Sequence, residues 1–135
     1  MTVTFVKGSR TCGWMAVRPP RTRVPGPTMA AGADLPHDLA TFVIERELCL
    51  DHGFWGCVAD GATFRSLRRN RTPQGKAVIA AHRPRLDEAE ERVNAAFFAW
   101  REGRPTEVRP ALDDMLERWR AVDEGGTLVL DWPLA

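Results

Sequence analysis

Residues 2–18 read TVTFVKGSRTCGWMAVR, and their period decides the fold class. Val3 and Phe5 alternate with Thr2 and Thr4, the period of two that marks a half-buried strand. Lys7-Gly8-Ser9-Arg10 reads as a turn, with Gly8 supplying the positive φ that tight hairpins need. Alternation resumes from Thr11 through Cys12, Trp14 and Ala16 and stops at Pro19-Pro20. A β-hairpin is therefore expected at the N-terminal end. Thr127 to Trp132 alternates once more, with Leu128, Leu130 and Trp132 on the inward side, and predicts a further strand.

Between these ends the period changes to that of a helix. Asp34-Leu35-Pro36 looks like a helix start, with a capping carboxylate and a first-turn proline. The helix is expected to run to about Leu50, with Leu39, Phe42, Val43, Ile44 and Leu48 as its apolar face and Gly53 as its stop. Phe54 to Ala59 reads as a shorter core helix. Ala77 to Ala81 is too short an apolar run to assign. Leu86 to Glu102 is the strongest helical stretch, with Ala89, Val93, Phe97 and Trp100 on one face and Gly103 and Pro105 ending it. Pro110 opens a last helix, whose stripe of Leu112, Met115, Leu116, Trp119 and Val122 leads to Gly125-Gly126. Residues 19–36 hold five of the ten prolines and read as a loop with an extended piece around Val24. The expected assembly is α+β: a small antiparallel sheet, made of the N-terminal hairpin plus the C-terminal strand, packed against about four helices.

A chain of 135 residues predicts one domain, 1–135, large enough to bury a core unaided. Hydrophobic residues at 44% and charged residues at 27% exclude a disordered or fibrous chain. The longest apolar run, Ala95 to Trp100, falls far short of the ~20 residues a membrane helix needs. No secretory signal is visible, and the three cysteines, Cys12, Cys49 and Cys57, contain no C-x-x-C pair. A cytoplasmic protein with reduced thiols is the expectation, with Cys49 and Cys57 as small core residues. The formal charge of +1 hides alternating blocks, and the most basic, residues 61–86, carries seven bases and no acid.

Three readings of function compete. In the leading one the protein binds a small ligand or a protein partner without chemistry of its own. Its pocket should lie where the His37 helix meets the sheet, bounded by Trp14, Phe54 and Trp55. The rival is a small enzyme. His37, Thr41 and Glu45 are spaced four and four, so they share a helix face with a drift of about 40° per step. His37 and Glu45 would hold a divalent metal or act as an acid–base pair, with His52 in support. The zinc-helix pattern of metalloproteases is broken, since Thr41 stands at the second histidine's place and Asp38 at the glutamate's. The same residues have a bland account as helix starters and solvated charges. His82, before the long helix, reads as a loop or capping residue. Third comes nucleic-acid binding through the basic segment from Arg65 to Arg71, which a near-neutral chain without tyrosine supports weakly. Nucleotide loops and a nucleophile elbow have no counterpart. Edge strands in so small a sheet make a homodimer a reasonable expectation.

The segments from Leu35-Pro36-His37-Asp38-Leu39 through Phe42-Val43-Ile44-Glu45, with Gly53-Phe54-Trp55-Gly56 and Ala59-Asp60-Gly61-Ala62, resemble a group of small bacterial proteins, chiefly actinobacterial, of unassigned function. Members of that group often place a second histidine where this chain has Thr41, so the resemblance implies a more complete His/Glu face there than here. It implies no activity.

Overall fold

In the computed structural model, residues 1–32, 34–64 and 72–133 are described. Strands β1 (Thr2–Lys7) and β2 (Thr11–Arg18) form the expected hairpin, and β3 (Thr22–Pro25), β4 (Met29–Ala30) and β5 (Thr127–Asp131) complete an antiparallel sheet. Its order is β3-β2-β1-β5, with β4 pairing the start of β2. Phe5 stands opposite Trp14 on one side and Leu128 on the other, and Val3 lies between Ala16 and Leu130. The period-two pattern therefore delivers one apolar layer to one face. The other face stays open, with Val6, Val17 and Val129 exposed. In the hairpin turn the left-handed residue is Arg10, at φ 55°, while the Gly8 amide donates to the Thr11 carbonyl. Gly8 was expected to take that conformation.

Among the described residues four helices pack on the inner face: α1 (His37–Glu47), α2 (Phe54–Ala59), α3 (Pro73–Arg101) and α4 (Arg109–Arg120). The indole of Trp55, fully enclosed, meets Phe5, Trp14, Phe42 and Phe54 at ring-centroid distances of 4.7 to 5.7 Å. All four contacts are edge-on, the arrangement aromatic quadrupoles favour. Helices α3 and α4 are tied by Trp100, whose indole N–H donates to Asp113 at 2.8 Å.

Three expectations about helix boundaries need correction, and two about single residues follow from them. Asp34 does not cap α1; Pro36 occupies that position, with no side-chain bond to the helix. The helix ends at Glu47, because Cys49 takes a left-handed conformation at φ 54° before Gly53 is reached. Cys49 is exposed there, not a core residue. Third, the long helix begins thirteen residues before Leu86, at Pro73, where the Thr72 hydroxyl accepts from the Gly75 amide at 3.0 Å. It runs unbroken through Pro84. Pro84 and Ala80 both lie on the exposed side, so the Ala80 carbonyl that loses its donor can be hydrated. His82 is accordingly a mid-helix residue. The segment from Arg65 to Arg71 lies outside the described residues.

Candidate metal centre

The bend between α1 and α2 is held from both sides. Glycine at 53 has no side chain to cap α2, and Glu45 of α1 does it instead: its carboxylate accepts from the Phe54 amide at 2.8 Å and the Trp55 amide at 2.9 Å. Gly53 lets that carboxylate approach, since a Cβ there would overlap it. On the next turn Gly56 lies flat against the Asp51 carbonyl, where no side chain fits. Residues 50–53 are thereby pinned, and His52 is aimed along α2. Asp60 closes the C-terminal end of that helix. A small cluster of Cys57, Ala62 and Leu86 packs α2 against α3 and brings His82 alongside.

Three donors converge as a result. His52 Nε2 lies 3.3 Å from Asp60 Oδ2, and His82 Nε2 lies 3.4 Å from the same oxygen. The two imidazoles stack with centroids 4.1 Å apart and planes tilted by 33°. One ligand atom from each of His52, Asp60 and His82 falls within 4.8 Å of the other two. On its far side, His52 Nδ1 is 3.1 Å from Asp51 Oδ1, an ion-pair distance without hydrogen-bond alignment. Asp51 is also paired with Arg85, one turn beyond His82, at 2.5 Å. Burial pushes the Asp51 carboxyl up, but the His52 imidazole and the Arg85 guanidinium outweigh it and hold the group below its ordinary value.

The residues singled out from sequence are placed differently. His37 sits in the first turn of α1 with its side chain 66% exposed and Nδ1 3.6 Å from Asp38 Oδ1. Bonding to Asp38 raises its pKa against the opposing effect of desolvation. His37 and Glu45 do border one cleft of about 100 Å³, with Asp38, Phe54 and Glu90. His52 is not in it, so the three groups that an enzyme built on His37 and Glu45 requires do not converge. Glu45 spends its carboxylate on α2. Its burial pushes the pKa up, the Trp55 and Phe54 amides pull it down, Glu90 adds to the rise, and the result is about 7. Trp14, 4% exposed, and Trp55 are core residues rather than walls of an opening, and only Phe54 of the three reaches the cleft. Asp38 serves those indoles: its carboxylate accepts from Trp14 Nε1 at 3.0 Å and its carbonyl from Trp55 Nε1 at 3.1 Å. Burial pushes the Cys12 and Cys57 thiols up to about 12, which disfavours the thiolate form at neutral pH.

No family model, no curated protein and no solved structure matches this chain. The site therefore rests on its own geometry. Sequence reading missed Asp60 and His82, yet a signal existed. The buried stripe of α3, Phe97, Val93, Ala89 and Leu86, continues backward by one more turn to His82. Pro84 concealed that continuity.

Proposed function

We propose that this protein binds a divalent first-row transition-metal ion between His52, Asp60 and His82. The convergence of two imidazole nitrogens on one carboxylate oxygen carries the reading. Imidazole and carboxylate together suit zinc, iron or manganese. This keeps the metal-dependent reading of the sequence but moves it from His37 and Glu45 to other side chains. The small-ligand reading has less support, because a cleft of about 100 Å³ is well below the roughly 300 Å³ at which ordinary ligand pockets begin. A reducing cytoplasm fits three free cysteines. No helix among the described residues is long and apolar enough to cross a membrane.

Elemental analysis of untagged protein, followed by thermal unfolding with and without a chelator, tests the proposal. Near-stoichiometric metal whose removal lowers the Tm is expected, and both effects should vanish in His52→Ala and His82→Ala. Metal-free protein that zinc, iron and manganese all fail to stabilise would overturn it.

A further inference from the structure

We infer that the open face of the sheet seats a second copy of this chain, in a two-fold, back-to-back dimer. This does not depend on the metal-binding reading. Strand pairing places Arg23, Val17, Thr2 and Asp131 in one row across β3, β2, β1 and β5. The neighbouring row holds Pro25, Met15, Thr4 and Val129. Along each strand these residues alternate with the core residues Val24, Ala16, Val3 and Leu130, so both rows belong to the outer face. The Thr2 hydroxyl donates to Asp131 Oδ1 at 3.0 Å, which requires those two side chains to share that face.

The middle of the face is apolar, with Val6, Val17 and Val129 between 37% and 56% exposed. Its two sides carry opposite charges: Arg23 on the β3 edge and Asp131 on the β5 edge, both exposed. Three strand spacings of about 4.8 Å separate these two by about 14 Å, too far for them to pair within one copy.

A two-fold axis parallel to the strands, midway between β1 and β2, satisfies both features. It lays β3 over the partner's β5 and β2 over the partner's β1, row on row. Arg23 of each copy then faces Asp131 of the other, so the ion pair forms twice. Val17 and Met15 close over the partner's Thr2 and Thr4, and Pro25 over the partner's Val129. An axis across the strands would instead lay β3 on β3 and set like charges along the same edge, so charge selects the first arrangement. Two faces of this kind pack about 10 Å apart with their strands inclined by about 30°.

Four strands at about 4.8 Å and about five residues at about 3.3 Å give a planar footprint of roughly 300 Å² per copy. Standard interfaces bury about 800 Å² per partner, so this dimer is weak and concentration-dependent. Pairing through the free edge of β5 would engage Asp131 but leave Arg23 outside, and that difference can be measured.

Sedimentation velocity on the full chain, from low micromolar to millimolar concentration, tests the proposal. A monomer–dimer equilibrium is expected, weakened at least about tenfold by Arg23→Glu or by Asp131→Arg, since each sets like charges face to face twice. Mixing the two variants should restore association as a heterodimer. The acid at 23 in one copy then meets the base at 131 in the other, and the second contact is the native one. Should Asp131→Arg disturb β5 by losing the Thr2 bond, a lowered Tm will show it, and Arg23→Glu alone decides. Wild-type protein that stays monomeric throughout the series would overturn the proposal. Association that Arg23→Glu leaves unchanged would overturn it in favour of the β5 edge or another surface. Two folded variants that remain monomeric when mixed would overturn the two-fold arrangement.

Discussion

His52 and His82, from a bend and a helix far apart in the chain, stack at 4.1 Å and turn their Nε2 atoms to a single oxygen of Asp60. Neither ring is placed by its neighbours in sequence alone. Gly56 seats the bend that carries one, and the Cys57–Ala62–Leu86 contact seats the helix that carries the other.

Metal should stabilise the fold through this pair. At a free ion concentration of one hundred times Kd, binding contributes about 2.7 kcal/mol, a rise of roughly 10 °C in Tm for a chain of this size. His82→Ala should abolish the rise while leaving the metal-free Tm within a few degrees, because the side chain is partly exposed. Differential scanning fluorimetry with and without zinc reads both. An undiminished zinc shift in the variant would rule out His82 as a ligand.

Asp51→Asn keeps the shape of the side chain but removes the charge beside His52 Nδ1. Loss of such an orienting carboxylate typically weakens metal binding by about 10–100-fold. Arg85→Ala should cost less than about tenfold, since both partners of its ion pair are substantially exposed. Competition titration against a chromophoric chelator would rank the two, and the reverse order would count against Asp51 as the carboxylate that orients His52.

Gly56→Ala should disrupt both fold and site. Its Cβ would collide with the backbone of Asp51, which cannot move without displacing His52. Overpacking of this kind costs about 1–3 kcal/mol or more. Gly32→Ala, where nothing lies within 4 Å of the added carbon, is the matched control. Urea unfolding of the two should separate clearly; equal midpoints would show that the bend yields.

Glu45 gives the stability a pH dependence of defined sign. Its pKa is raised from 4.5 to about 7 in the fold, chiefly by burial, so between these values the native state holds more protons than the unfolded chain. The associated stability is complete below about pH 4.5 and is lost as pH rises to about 7, with an upper magnitude on the order of 3 kcal/mol. Glu45→Gln removes the titration and should flatten this part of the profile. Denaturation curves at pH 5 and pH 8 for both proteins are sufficient. If the two proteins change in parallel, Glu45 does not titrate in that window.

Strands and helices were legible in this chain because each carries its own period. Val3 and Phe5 announce β1, and Ala89, Val93 and Phe97 announce the second half of α3, through which residues are apolar and which are not. The start of α3 was hidden because Pro84 ordinarily ends a helix, and only its exposed position shows why it is tolerated here. The end of α1 is hidden for a related reason: a left-handed cysteine is uncommon, whereas a glycine such as Gly53 is the ordinary helix stop.

By itself, then, the sequence determined the α+β class, the strands at either end, the four helices and the apolar side of most of them. Those are properties of local period, and burial simply enforces them. The site was decided by tertiary structure. His37 and Glu45 share a helix face, which any reader of spacing can see, but Glu45 is consumed in holding α2. His52, Asp60 and His82 share no spacing. They meet because glycine lets two backbones touch and because α2 packs on α3, and contacts between distant segments leave no period in the chain.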